Sequence, residues 1–382
     1  MTTETAEKTA SPLELFFDLV FVYAITQVSV LVASDLTAVG FAHGALVLAM
    51  LWWAWSQFTW AGNLINIEPR KVRLAIIVAM APAFVMAQGV SSAFDGGAPW
   101  VAWGYAVVRA LGTWMMWKGV EGDPEQRKAV MTYLRISIIG PVVLIVGSYL
   151  SDPALSLLWL AGLSAEILSA AVGGRESWRI DAGHFAERHG LIVIIALGES
   201  IVVVGATVAD REPTRALAGL LMLALAGTAT LWWSYFDYLK DRWEDALRRV
   251  AGERAGRMAR DVYSILHYPI LFGIVLYAIV SEETIAHPDE PLPRAVLVTL
   301  VLAVGLFLGG QILANYRAVK TWLWARIAAV IAIVATAPLV TDIDAVVVFA
   351  AGTLIGVVML IFETVTGEAD RLPELTGSGE GV

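Results

Sequence analysis

The chain has 382 residues, 58% of them hydrophobic and 16% charged, with a mean hydropathy of +0.70 and a formal net charge of −9. A water-soluble domain carries about a quarter charged residues, so this composition excludes one. With no cysteine, disulfides, thiolate metal sites and cysteine nucleophiles are excluded as well.

The opening residues, MTTETAEKTA, are polar and show no basic start followed by a cleavable apolar core. A secretory signal is not expected, and the first span serves as its own insertion signal. Apolar stretches of about 20 residues follow, each enough to cross roughly 30 Å of hydrocarbon. They fall at about 13–34, 37–60, 71–92, 99–118, 129–150, 154–172, 188–209, 213–239, 258–280, 293–314, 321–339 and 342–363. The expected fold is an all-α polytopic integral membrane protein of about 12 transmembrane helices. A β-barrel would instead alternate in segments of roughly ten residues.

Basic residues sort the connections into two sets. One set, including SDLTAVG, SSAFDGGAP and TDID, holds only Arg211, Arg215 and Arg294. The other set, with both termini, holds every remaining Lys and Arg except Arg109, among them Lys8, Arg175, Arg326 and Arg371. The positive-inside rule then places both termini in the cytoplasm.

The chain also reads as written twice. ELFFDLVFVYAITQ at Glu14 answers ERHGLIVIIALGES at Glu187, and LWWAW at Leu51 answers LWWSY at Leu231. Arg70, Arg73 and Pro82 answer Arg257, Arg260 and Pro269, and KAVMTYL at Lys128 answers RAVKTWL at Arg317. The separation widens steadily, as in a duplication that gained loop residues. The organisation expected is a tail at 1–12, a six-helix repeat at 13–172, a cytoplasmic joint at 173–187, a second repeat at 188–363 and a disordered tail at 364–382. Six spans per copy make the two repeats parallel.

An ionisable group inside a span costs at least about 2.5–3.5 kcal/mol, so it marks a bundle interior or a water-filled path. Arg109, Glu166 and Glu199 each lie near mid-span. They read either as a structural lock or as a substrate, ion or proton site. The alignment sets Glu199 opposite Thr26 and finds no counterpart for Arg109 or Glu166, so the buried charges do not repeat. Asp18 lies one turn into the first span, four residues after Glu14, with Asn63, Arg70 and Arg73 on the same membrane side. Glu187 and Arg188 enter the seventh span beside Arg257 and Arg260. Carboxylates at helix starts also suit the helix dipole, which is the plain reading of Glu14 and Glu187. His267, two residues before Pro269, reads as a packed histidine or as a gate in a kinked helix; a kink is expected at Pro82 too. Gln27, Gln57, Gln88 and Asn315 line a pathway or bond helix to helix.

The tryptophans at 52, 53, 55, 60, 114, 117, 232 and 233 read as an interfacial belt. The basic run Arg242–Arg260 reads as a cytoplasmic loop touching lipid headgroups. Neither a phosphate-binding glycine loop nor a His-Glu-x-x-His or Gly-x-Ser-x-Gly motif is present. No enzyme activity, cofactor or metal is expected.

ELFFDLVFVYAITQ, HFAERHGLIVIIALGES at His184, LWWSYFD at Leu231 and RDVYSILHYPILFGIV at Arg260 together resemble the bacterial low temperature requirement protein A family, over about residues 11–365. The resemblance implies an integral protein of the bacterial cytoplasmic membrane, without a mechanism. Carried over by position, the family's motif residues would be Glu14, Asp18, His184, Glu187, Arg188, Glu199 and His267.

The leading expectation is a secondary transporter of a small charged solute, with Arg109, Glu166 and Glu199 forming a midplane site between rocking halves. The alternative is a cation channel lined by the first helix of each repeat, since F-F-D loosely resembles the F-S-D of an organellar potassium-channel family. A non-transporting factor for growth in the cold is the third. Expected partners are bilayer lipid and a small solute or ion, not nucleic acid, with a homo-oligomer left open.

Overall fold

The computed structural model describes residues 9–173, 176 and 178–367. Most of the two expected tails, with Lys8, Arg175 and Arg371, lies outside the described residues. Among the described residues the chain is helical, with one isolated bridge, Pro291 to Asp344, and no strand.

Helix starts follow local chemistry. Ser11 caps α1 (Pro12–Ser34) in a reciprocal capping box with Glu14. Thr37 caps α2 (Ala38–Leu64), which precedes α3 (Arg70–Gln88) and α4 (Ala98–Gly119). Asp123 caps α5 (Pro124–Ser137), continued by α6 (Ile139–Gly147); α7 (Ala154–Gly173) follows. Asp181 caps α8 (Ala182–Thr207) and Thr214 caps α9 (Arg215–Phe236). Then come α10 (Lys240–Arg248), α11 (Gly252–Met258), α12 (His267–Ala286), α13 (Arg294–Val319), α14 (Trp324–Thr336) and α15 (Ala345–Thr366).

Ten helical spans among the described residues are long and apolar enough to cross a membrane. Two of the twelve expected segments are not among them. Arg109 and four tryptophans lower the hydropathy of α4, and Trp324–Leu339 is shorter than the rest. The expected loop at Arg242–Arg260 is instead largely helical. On α10, Arg242, Trp243 and Leu247 share a buried face that packs on α8, α9 and α13. Between α11 and α12, residues Ala259–Ile265 form widened π-helical turns in which the Leu266 N–H reaches back five residues to the Asp261 carbonyl, 3.0 Å away. Pro269 follows in α12 and has no N–H to offer the Ile265 carbonyl one turn earlier. Pro82, by contrast, sits inside α3, which continues past it.

The centre of the molecule is where α1 and α2 meet α8 and α12. Every residue from Ile270 to Ser281 on α12 is buried, so this helix is apolar all round, as an enclosed helix must be. It packs most extensively on α13. A Cβ on Gly273 would lie 2.6 Å from the Phe307 nitrogen and 2.7 Å from the Ala303 carbonyl oxygen, so only glycine permits this approach. Gly273→Ala is expected to cost about 1–3 kcal/mol, read as a lowered thermal midpoint in detergent. Gly305→Ala, which meets open space, is the control and should not lower it.

Candidate functional site

The most concentrated group of buried charges joins α1 to α8. Glu14, one turn inside α1, spends one carboxylate oxygen on its capping box: Oε2 accepts from the Ser11 N–H (2.9 Å) and the Ser11 hydroxyl (3.0 Å). Its Oε1 accepts from His184 Nε2 at 3.0 Å and lies 3.6 Å from Arg188 Nη1. A Cβ on Gly62 would come within 2.8 Å of that oxygen, so a bare backbone on α2 lets the carboxylate in.

One turn further along α1, Asp18 Oδ1 accepts from Trp55 Nε1 of α2 and from Arg188 Nη2, both at 2.7 Å. Asp18, His184, Arg188 and Trp55 are each at most 1% exposed, and Glu14 is 5% exposed. Because an ionised carboxylate only accepts, His184 donates through Nε2. The cluster therefore holds two carboxylates, one guanidinium and one imidazole. Asp18 Oδ2, Arg188 Nε and Nη1, and His184 Nδ1 have no hydrogen-bond partner. That is more unspent polar capacity than a closed structural lock leaves.

Two further bonds hold this interface. Asn63 donates to the Arg179 carbonyl at 2.7 Å and accepts from the Asp181 N–H at 2.8 Å, pinning the start of α8 to the end of α2. Glu187 Oε2 accepts from the Ala10 N–H at 2.7 Å. Arg188 thus turns toward Asp18 and not toward the other basic residues it was grouped with. Arg70 and Arg73 are exposed at the start of α3. Arg257 pairs with Glu253 on the surface, and Arg260 with Asp261, which also takes Arg317.

Glu199 lies on the same seam, eleven residues beyond Arg188 on α8, roughly 16 Å along the axis at 1.5 Å per residue. Thr26 of α1 lies beside its carboxyl but donates its own hydroxyl to the Val22 carbonyl at 3.2 Å, and Glu199 Oε1 has no partner. Buried Phe21, Ile25, Ile192 and Ala196 occupy the seam between the two polar levels.

Arg109 and Glu166 are brought together, but apart from Glu199. Arg109 Nε donates to Glu166 Oε1 at 3.2 Å, and Nη2 pairs with Oε2. Nη2 also donates to Tyr133 (2.7 Å) and Ser137 (2.6 Å), while the Ser137 hydroxyl donates to Glu166 at 2.8 Å. Gly140 makes room, since a Cβ there would meet Glu166 Cγ at 2.6 Å.

Two buried charges of the second chain half, Arg326 and Glu363, were missed by sequence reasoning. Arg326 lies inside α14, fully buried, and not in a cytoplasmic connection. Its Nε and Nη2 donate to Glu363 at 2.8 and 2.9 Å, Nη2 reaches the Ser234 carbonyl at 2.9 Å, and Nη1 bonds Gln311. Each chain half therefore holds one enclosed Arg–Glu fork. Tyr133 and Ser137, four apart on one helix face, were a legible sign of the first.

His267 is packed and satisfied: Nδ1 donates to the Val262 carbonyl at 2.8 Å and Nε2 accepts from Tyr235 at 2.7 Å. His43 bonds Asp152 at 2.9 Å on the opposite face. Slight burial raises the Asp152 pKa, but hydrogen bonds from Ser156 and His43 outweigh it and hold the carboxyl below its ordinary range. Trp52, Trp53 and Trp55 are buried hydrogen-bonding or packing residues and not a belt, whereas Trp114, Trp232 and Trp233 are exposed as a belt requires. Among the described residues no group of three His, Cys, Asp or Glu side chains is set to hold a metal.

A family model described as Bacterial low temperature requirement A protein matches residues 9–361. The chain is 31% identical over 300 residues to the Uncharacterized protein RA0937 of Rhizobium meliloti (strain 1021), covering 75% of this chain and 72% of that one. A shorter likeness, 31% identical over 94 residues, is to the Signal peptidase complex-like protein DTM1 of Oryza sativa subsp. japonica, covering 22% of this chain and 84% of that one. No solved structure matches.

Removing one partner of a buried ion pair leaves an uncompensated charge, which costs about 3–5 kcal/mol. Arg326→Met is expected to lose that much in thermal unfolding. The double variant Arg326→Met with Glu363→Leu should recover most of it, because neither charge then remains.

Proposed function

The chain belongs to the bacterial low temperature requirement A family, and we propose that it is a proton-coupled secondary transporter of a small solute and not an enzyme. It sits in the bacterial cytoplasmic membrane with both termini in the cytoplasm. α4 and α14 complete twelve spans, arranged as two parallel six-helix repeats that rock along the α1–α8 seam.

The observation that carries this reading is the buried cluster of Glu14, Asp18, His184 and Arg188, with one more carboxylate than guanidinium. A single proton held on one of the two carboxyls neutralises the excess and frees Arg188 from one of its two partners. Glu199 supplies a second proton-binding level on the same seam, across the apolar residues between. Rocking that parts those residues connects the two levels, which is a coupling step. In this reading the Arg109–Glu166 fork stiffens the α4–α7 wall. Bilayer lipid surrounds the bundle.

The test is uptake of radiolabelled small organic acids and amines into proteoliposomes under an imposed pH gradient. At least one solute should accumulate above equilibrium. Asp18→Asn should cut that accumulation at least tenfold, about 1.4 kcal/mol or more, and Glu199→Gln should weaken it as well. Unchanged accumulation with Asp18→Asn removes the cluster from the coupling step. Gradient-independent flux with single-channel currents would favour the cation-channel reading, with α1 and α8 lining the pore.

A further inference from the structure

We propose that the outer face of α3 docks one anionic phospholipid, its phosphate among Arg70, Lys71 and Arg73 and its acyl chains along Leu74, Ile77 and Val78. α3 is long and apolar enough to cross a membrane, and all six of these residues are exposed.

Three cations fall within four residues, and among the described residues none of their side chains forms an ion pair or hydrogen bond. Glu68, exposed two residues earlier, is the one acid between Asp35 and Asp95, so the group keeps a net positive charge. Arg70 and Arg73, three apart on a helix, are neighbours and repel. By contrast, Lys118 and Lys128, at the facing ends of α4 and α5, pair with Glu121 and Glu176 at 2.6 and 2.8 Å. A phosphodiester between the two arginines removes the repulsion and accepts from both guanidinium forks.

The surface beneath the cations selects a lipid as the source of that phosphate. At roughly 100° per residue, the cations and Leu74, Ile77 and Val78 share one arc of about 160°. Val72, Ile76 and Ala79 take the opposite, buried face. The exposed arc continues through Phe84 and Val85. From Leu74 to Val85 this apolar ridge extends roughly 16 Å, about half of a hydrocarbon core roughly 30 Å thick. Its length therefore matches one leaflet. A soluble phosphate ester meets the cations and leaves the ridge unused, whereas a phospholipid covers both. A zwitterionic headgroup brings its own ammonium and no net charge, so an anionic lipid is favoured.

The far end of the ridge touches α1. Tyr23 meets Phe84 with ring centroids 5.3 Å apart, and α1 also carries Asp18. A docked lipid thus braces the helix that supplies one side of the Asp18–Arg188 pair. Docking requires only that α3 lies in a bilayer, so a failure of the transport reading leaves it standing.

The test is native mass spectrometry of the full chain in neutral detergent, titrated with phosphatidylglycerol, phosphatidylcholine and glycerophosphoglycerol, the headgroup without acyl chains. Phosphatidylglycerol should bind at least about tenfold tighter than phosphatidylcholine, the scale of one charge-assisted hydrogen bond. It should exceed the bare headgroup by about tenfold or more, since the chains bury apolar surface. Arg70→Gln with Lys71→Gln and Arg73→Gln should bring the two lipids within about twofold of each other, and these exposed substitutions leave the fold intact. Lys118→Gln with Lys128→Gln and Arg257→Gln removes the same charge from paired sites and should leave the preference in place. Equal binding of the two lipids by the unaltered protein overturns the proposal, as does a preference that survives loss of Arg70, Lys71 and Arg73. Loss of preference in the control variant ascribes it to net charge and overturns it too. Headgroup binding as tight as the lipid's assigns the cations to a soluble phosphate ester and sinks the lipid assignment.

Discussion

The ion pair between Asp18 and Arg188 is the contact on which the arrangement of the two chain halves depends. It crosses from α1 to α8 at the centre of the molecule, where neither group reaches water. Desolvating two charges is costly, and attraction offsets that only with good geometry and further hydrogen bonds. Trp55 supplies one such bond from α2, and the capping box at Ser11 fixes Glu14 one turn away. While both groups are charged, the interface is therefore held in register by directional contacts. Apolar packing around it, from Phe17 through Val193, is less demanding, since lipid competes for the same surfaces.

The two Arg–Glu forks show how one energetic problem is solved in two ways. In both, the carboxylate lies on the last long helix of its chain half, α7 or α15. The arginine comes from α4 in one case and from α14 in the other, and hydroxyls complete the first where Gln311 and a carbonyl complete the second. Both are nearly saturated by their partners, and this separates them from the cluster at Asp18, whose atoms are not.

Much of this was readable from residues alone. Helix positions follow from apolar length, and the mid-span position of Glu199 marks it as a buried carboxyl. Asp18 was visible because a carboxylate between Phe17 and Leu19 has no surface reason to be there. Its partner was not, because Arg188 sits near the start of α8, where a basic residue reads equally well as facing the membrane surface. Arg326 was hidden for the same reason, and Glu363 by lying near the end of α15. Sequence depth along a span is a weak guide to burial when helices tilt and neighbouring connections fold back. The helix α10 does this, covering with Trp243 what looked like a solvent-facing loop.

The widened turns at Ala259–Ile265 carry a consequence for how this span is compared with others. A surplus residue in a turn advances every later side chain by about 100° relative to an unbroken α-helix. Arg260 and Ser264 line a small cleft with Trp60 and Trp178, while His267, only three residues beyond Ser264, points into the packed interior against Tyr235. A helical wheel drawn straight through residues 252 to 286 mixes those two directions and blurs a face that is in fact sharply divided. Any one-residue insertion or deletion in this stretch changes which surface the rest of α12 presents, and so acts on side chains several turns away.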